Sequence, residues 1–381
     1  MTAPMTSSPK TPTQAPFILL AAGGTGGHVF PAEALAAALE ARGCRLGLVT
    51  DTRGAVHGGA LGRLETWRVA AGGLAGIGLK GRATGVLRLA RGMVQAWRLV
   101  GRLKPDGVVG FGGYASVPAV LAATLRRTPS LIHEQNAVLG RANRLLAPRV
   151  TGIATALPEV RFLPDGRGQH VGNPVRAAFL ERRDAAYAAP EPAGPIHILV
   201  TGGSQGARAL TDLVPEAMNR LPAPVRARLR ITQQCRPEDL ERARATYAAA
   251  GIMAETAAFL DDMPARLSGT HLVIARAGAS TVAELTCVGR PAVLIPLPGA
   301  IDDHQTANAR ALSDAGAAWL MPQAELTAER LAARLEPILS DGAGLSAAAA
   351  QAHALGRPDA AERLADLTLS LTTPNAGRAA A

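Results

Sequence analysis

One local design constrains the fold of this chain more than any other feature: an apolar run of strand length, a glycine loop, then an Ala/Leu-rich helical pattern. It occurs at Phe17 to Ala22 with Gly23-Gly-Thr-Gly-Gly-His28, and at Asp106 to Gly110 with Phe111-Gly-Gly-Tyr114. It returns at Ile196 to Thr201 with Gly202-Gly-Ser-Gln-Gly206, and at His271 to Ala275 with Arg276-Ala-Gly-Ala279. A strand that hands directly into a helix builds a parallel sheet with crossover helices, so the fold class read from the pattern is α/β. The restart at Ile196 repeats the plan of residues 17 to 42, which makes two such units in tandem. A chain of 381 residues with 48% hydrophobic content can fill two cores.

The expected division has six parts. Residues 1–16 form a disordered Thr/Ser/Pro-rich extension, 17–180 a first domain, 181–195 an Ala/Pro/Glu linker, and 196–355 a second domain. Residues 356–371 are a final helix and 372–381 a disordered tail.

Composition removes several function classes. Cys44, Cys235 and Cys287 are far apart and show no metal-ligand spacing, so neither a disulfide framework nor a zinc site is indicated, and a reducing cytoplasm fits. Phe17 to Ala22 is too short and too closely bounded by glycine for a signal peptide, and no apolar run reaches membrane-spanning length. The net charge is +10, yet of 40 basic side chains only Lys10, Lys80 and Lys104 are lysine, a usage that reads as genomic bias. With aromatics at 3% and none interleaved with basic runs, a nucleic-acid surface is not expected.

The stretch from His271 to Asn308 has the most site character. A strand ends at Ala275, a helical pattern opens at Ser280, a second buried strand runs from Ala292 to Ile295, and another helix opens at Asp302-Asp-His-Gln305. Two helix starts at two strand ends can hold an anion such as a nucleotide diphosphate. Thr281-x-x-Glu284 also fits a capping box, which would need no ligand. In the first half, Gly23 to His28 is an anion nest before a helix from Pro31 to Arg42. It is not a P-loop, and it departs from the dinucleotide fingerprint at Val29, although Asp51 at the end of the next strand keeps that reading open. Ser130 to Asn136 ends a buried strand in four polar residues, His133, Glu134, Gln135 and Asn136, which read as site residues. Ala75 to Arg102 mixes Leu79, Met93, Val94 and Trp97 with Lys80, Arg82, Arg88, Arg91 and Arg98. It reads equally as a membrane-surface helix or as an ordinary amphipathic helix with solvated arginines.

Together, Gly23 to His28, Gly110 to Tyr114, His133 to Asn136, Gly172 to Arg176, Gly202 to Ala207, Ala275 to Glu284 and Asp302 to Asn308 resemble the MurG family of peripheral membrane glycosyltransferases. The resemblance runs from about Phe17 to beyond Ala317, with the motifs in the family's order. It implies the GT-B architecture, two Rossmann-like domains facing a cleft. It also implies inverting transfer of N-acetylglucosamine from UDP-GlcNAc to an undecaprenyl-diphosphate-linked muramoyl-pentapeptide, at the cytoplasmic face of the inner membrane and against its anionic surface. Carried over by position, it places uracil and ribose on Leu260 and on Ala279, Ser280, Thr281, Val282, Ala283 and Glu284, phosphate on Ser204, and the sugar hydroxyls on Gln305. Thr25, Gly26, Gly27, Asn136 and Arg176 would line the cleft. The loop Leu297 to Ile301, small where relatives often carry bulkier residues, and the N-terminal extension depart from the pattern.

Such transfer needs a base for the acceptor hydroxyl and a means of neutralising the UDP leaving group. His28, at a helix start whose dipole favours the neutral ring, and Glu134, at the neighbouring strand end, are the two candidate bases, and His28 as a ligand of the acceptor diphosphate is the third possibility. Asp261-Asp262 and Asp302-Asp303 are not DxD triplets, so no metal and no cofactor is expected. The competing readings are a GT-B transferase acting on another lipid such as diacylglycerol, a non-catalytic sugar-nucleotide-binding protein, and a dinucleotide oxidoreductase.

Overall fold

A computed structural model of the protein describes residues 15–23, 26–51, 59–71, 79–203 and 208–372. The segments expected to be disordered, 1–16 and 372–381, lie outside the described residues except for Ala15, Pro16 and Thr372. Two parallel sheets form. The first holds β1 (Phe17–Ala21), β2 (Arg45–Asp51), β3 (Glu65–Val69), β4 (Gly107–Gly110), β5 (Ser130–Glu134), β6 (Gly152–Thr155) and β7 (Gly168–His170), in the order β3-β2-β1-β4-β5-β6-β7. The second holds β8 (Ile196–Thr201), β9 (Leu229–Gln234), β10 (Met253–Ala257), β11 (Leu272–Ala275), β12 (Ala292–Leu294) and β13 (Ala318–Leu320), in the order β10-β9-β8-β11-β12-β13. Both orders reverse direction beside the unit's first strand, at β1/β4 and at β8/β11. There the loops leaving the strand ends diverge and open a crevice.

The uniform apolarity of the central strands follows from burial on both faces. In β1, Ile18 and Leu20 join one core cluster while Leu19 and Ala21 join the cluster on the opposite face. In β8, Ile198 and Val200 pack on one side and Leu199 on the other. A single strand thus feeds two layers of helices, the period-two geometry of a pleated chain. The edge strands β3, β7 and β10 are mostly solvated and carry little apolar signal.

Helix Ala360–Thr372, after the second sheet is complete, packs on helix Gly26–Ala41 and on β4 of the first sheet. Leu364 and Ala365 enter the same cluster as Ile18, Leu20 and Leu35, and Arg42 pairs with Glu362 at 2.6 Å and Asp366 at 2.8 Å.

Three element boundaries differ from the sequence reading. The first helix begins at Gly26, inside the glycine loop, instead of at Pro31. The basic amphipathic helix runs Leu79–Leu103, and the expected start at Ala75 lies outside the described residues. The helix expected at Asp302 begins at His304, because Asp302 and Asp303 both adopt left-handed backbone with φ 54. Asp tolerates that conformation better than most residues.

Candidate active site

A cavity of about 1070 Å³ lies between the carboxyl ends of the two sheets and is lined from both sides. Of the residues read from the sequence, Gly26, Gly27, His28, Glu134, Asn136, Arg176, Leu260, Ala279, Ser280, Thr281, Glu284 and Gln305 line it. Thr25 and Ser204 lie outside the described residues. Val282 and Ala283 do not reach the cavity: Val282 is buried in the core beneath its helix and Ala283 packs against it. Consecutive helical residues cannot all face one side, so a ligand set of every residue from 279 to 284 is not what the helix presents. Asp51, the residue that kept a dinucleotide reading open, is fully buried.

On the first wall, His28 sits in the opening turn of helix Gly26–Ala41, with its ring against the backbone of Gly112 and Gly113. A Cβ on either glycine would meet the ring at 3.4 Å, an ordinary contact, and it is the positive φ of both residues that favours glycine here. His28 Nδ1 lies 3.1 Å from Gln135 Oε1. Gln135 Nε2 lies 3.0 Å from His133 Nδ1 and 2.9 Å from the His133 carbonyl, and His133 Nε2 lies 2.9 Å from the carbonyl of Gly172.

Glu134 does not suit the role of base. Its Oε1 accepts from the backbone and side-chain N–H of Asn136, both at 3.1 Å, and its Oε2 accepts from Gly140 N–H and Asn143 Nδ2, both at 2.8 Å. Four donors hold a carboxylate that is 2% exposed, so Glu134 braces the loop that carries Asn136.

His133 is fully buried, and desolvation pushes its imidazole down to about 4. A histidine depressed in the folded state contributes stability that is present above its unfolded value of 6.5 and is lost as pH falls through the folded one. The unfolding free energy of the wild type relative to His133→Gln should therefore fall by about 3 kcal/mol between pH 6.5 and 4, measured by urea titration. A pH-independent difference would contradict a neutral buried imidazole.

On the second wall, helix Ala279–Val288 starts after Gly278, which is its N-cap and supplies no side-chain cap. Thr281 is already inside the helix and Glu284 reaches elsewhere, so the capping-box alternative is excluded and the first-turn amides remain available to an anion. Glu284 Oε1 is 3.6 Å from Arg176 Nη2 of the opposite unit. Burial pushes the Glu284 carboxyl up to about 7, outweighing the opposing pull of Arg176. The Arg176 guanidinium stacks over Phe30 at 4.4 Å and Phe179 at 5.1 Å, and its buried Nε has no hydrogen-bond partner among the described residues. Gln305 lines the cavity, and its Oε1 accepts from Leu297 N–H at 2.9 Å.

The two walls are joined by polar contacts at the cleft edge. Asn308, with no exposed surface, accepts from Ala137 N–H at 2.8 Å and donates to Asn136 Oδ1 at 3.1 Å and to the Ala277 carbonyl at 3.0 Å. Asp302 pairs with Arg144 and, at 3.5 Å, with Arg141. Asp303 accepts from Thr306, and Asp262 pairs with Arg266, so these acidic side chains are engaged within the protein. Asn308, Phe30, Arg141 and Arg144 carry no site signal of their own in the sequence, whereas Gln135 belongs to the polar strand end that reads as site residues. Gln135 and Asn308 fall inside motifs that were noticed, but their work depends on contacts that only the fold creates.

Two Rossmann-like units that face a common cavity, with glycine loops and helix starts presented from both sides, make this chain a GT-B glycosyltransferase. The model of the glycosyltransferase family 28 N-terminal domain matches residues 18–155, and that of the family 28 C-terminal domain matches residues 197–364. The chain is 56% identical over 368 residues to the UDP-N-acetylglucosamine--N-acetylmuramyl-(pentapeptide) pyrophosphoryl-undecaprenol N-acetylglucosamine transferase of Paramagnetospirillum magneticum, spanning 96% of this chain and 99% of that protein. The protein of the same name from Rhodospirillum rubrum is 57% identical over 92% of this chain and 90% of its own length. The crystal structure of Acinetobacter baumannii MurG superimposes with a TM-score of 0.77 at 32% identity, covering 93% of this chain and 99% of that one. The kitacinnamycin glycotransferase, at 17% identity and a TM-score of 0.66, shares the fold. The chain belongs to the MurG family.

Proposed function

We infer that this protein transfers N-acetylglucosamine from UDP-N-acetylglucosamine to an undecaprenyl-diphosphate-linked N-acetylmuramoyl-pentapeptide, with inversion at the anomeric carbon, in peptidoglycan synthesis. The observation that carries this reading is the near full-length identity to proteins named for that reaction, over a cavity to which both units contribute. Residues 17–180 with the returning helix make the acceptor side, and 196–355 the donor side.

In this reading Leu260 and the helix start at Ala279 to Thr281 receive the uridine, Glu284 accepts hydrogen bonds from the ribose hydroxyls, and the amides of that helix start oppose the diphosphate. The Gln305 amide nitrogen reads a sugar hydroxyl. His28 takes the proton from the acceptor hydroxyl as that oxygen attacks the anomeric carbon, while the bond to UDP breaks and its negative charge is met by backbone N–H groups. Gly26, Gly27, Asn136 and Arg176 shape the acceptor side. Donor identity is checked by competition binding: UDP-N-acetylglucosamine should bind well ahead of UDP-galactose and UDP-glucose, and equal binding of the three would contradict the assignment of Gln305.

We further propose a peripheral site at the cytoplasmic face of the inner membrane. No helix among the described residues is long and apolar enough to cross a membrane. Helix Leu79–Leu103 buries Ala96, Leu99 and Val100, so the packing reading holds for one face. Its other face leaves Arg88, Arg91 and Arg98 in solvent beside exposed Val94 and Trp97, the latter stacked under Arg126 at 3.4 Å. Apolar and basic groups exposed together suit an anionic lipid surface. Replacing Arg88 and Arg91 by Gln should reduce cosedimentation with anionic vesicles, added salt should reproduce the loss, and activity on a short-chain soluble acceptor should survive. If vesicle binding is unaffected by both, this face is simply solvated.

A further inference from the structure

The hydrogen-bond chain behind His28 has a direction that chemistry settles. A carbonyl oxygen only accepts, so the Gln135 amide atom facing the His133 carbonyl at 2.9 Å is the NH2 nitrogen. By the same rule, His133 Nε2 carries the proton that meets the Gly172 carbonyl. A fully buried, neutral His133 then has a bare Nδ1, which accepts the second N–H of Gln135 at 3.0 Å. Both ends of the Gln135 amide are thereby assigned, and its oxygen faces His28 Nδ1 at 3.1 Å. An amide oxygen has no proton to give, so the hydrogen bond exists only if His28 Nδ1 is protonated.

We propose that Gln135 and His133 are positioning residues that fix His28 as its Nδ1–H tautomer, leaving Nε2 as the nitrogen that takes the acceptor's proton. Gln135 touches neither reacting atom; it sets which nitrogen of His28 is basic. His133 keeps the Gln135 amide from flipping, and the anchor of the chain is Gly172, held with φ +93 at the start of the segment leading to Arg176. The same constellation turns the ring: one nitrogen is held inward, so the other faces the cleft. This rests on His28 being the base.

The test is nitrogen-15 NMR of the intact protein labelled at histidine, with the His28 signals assigned through His28→Gln. Wild-type His28 should show a protonated Nδ1 and an unprotonated Nε2 at neutral pH; the opposite tautomer would overturn the proposal without any variant being made. In Gln135→Met the population should move toward Nε2–H, and turnover should fall roughly 10- to 100-fold with little change in the donor KM, because the minor tautomer still supplies a basic Nε2. Gln135→Glu keeps an acceptor against Nδ1 but loses the N–H groups that meet the His133 carbonyl and Nδ1, so it should retain the tautomer, recover only part of the turnover lost in Gln135→Met, and shift the acid limb of the kcat profile upward as its carboxylate favours the imidazolium. Around His28, the buried His133 behind Gln135, Glu134 from β5, Tyr114 after β4 and Arg176 on the same wall, with Arg141 beyond them and Arg276, Glu284, Asp302 and His304 across the cleft, are common to wild type and variants. An unchanged tautomer in Gln135→Met would sink the positioning role. A changed tautomer with unchanged turnover would instead uphold the positioning and remove His28 as base.

Discussion

Substitution of His28 by Ala should lower turnover about 10²- to 10⁴-fold while affinity for UDP-N-acetylglucosamine stays nearly unchanged. His28 stands on the first unit, opposite the helix start that would receive the uridine, so removing its imidazole leaves the donor contacts in place. Its Nδ1 is occupied by Gln135, and the rest of the ring lies over the glycine pair Gly112 and Gly113 at the edge of the cavity. A kcat loss without a KM change for the donor is the signature of an interaction made in the transition state. If turnover holds and acceptor affinity falls, His28 binds the acceptor diphosphate instead. Glu134 does not then inherit the role. With four N–H donors on its oxygens, Glu134→Gln should lower the melting temperature, since a carboxamide can accept at only one of its two ends.

The second large effect belongs to Glu284. Glu284→Ala should weaken donor binding by roughly 1.5 to 3 kcal/mol, about 10- to 150-fold, through loss of charge-assisted hydrogen bonds to ribose. Since burial raises the free carboxyl to about 7, and the hydroxyls of ribose favour the ionised acceptor, donor binding must deprotonate Glu284. The sign follows: affinity should fall by up to about tenfold for each pH unit below 7, and Glu284→Gln should flatten that dependence. UDP-N-acetylglucosamine is the ligand to use, because its diphosphate is esterified at both ends and does not itself titrate there. A lower melting temperature with unchanged donor affinity would reduce Glu284 to a partner of Arg176.

Much of this was legible before any coordinates. The glycine-loop units at β1, β4, β8 and β11 could be read because each central strand is an apolar run with a turn signal at its carboxyl end, and burial on both faces makes such runs unambiguous. The edge strands escaped for the converse reason: β3 and β7 are half solvated and their residues alternate weakly. The preference of proline for a first helical turn makes Pro31 the expected helix start, but Gly26 and Gly27 fold into the helix ahead of it. Asp302 and Asp303 carried a helix-start composition, yet Asp302 is drawn to Arg141 and Arg144 across the cleft, an attraction invisible along the chain. The same holds for the site. The run His133 to Asn136 was visibly polar, but only the packed strand shows Glu134 consumed by its own loop, Gln135 turned to His28, and Asn136 held by Asn308 from the other unit.

The central claim is tested most directly by following radiolabel from UDP-N-acetylglucosamine in the presence of undecaprenyl-diphosphate-linked N-acetylmuramoyl-pentapeptide, with diacylglycerol supplied in a parallel reaction. The account predicts label in the muramoyl lipid, linked with inverted anomeric configuration, with stoichiometric UDP and none in the diacylglycerol product. Label in diacylglycerol, retention of configuration, or tight donor binding with no transfer to either acceptor would contradict it.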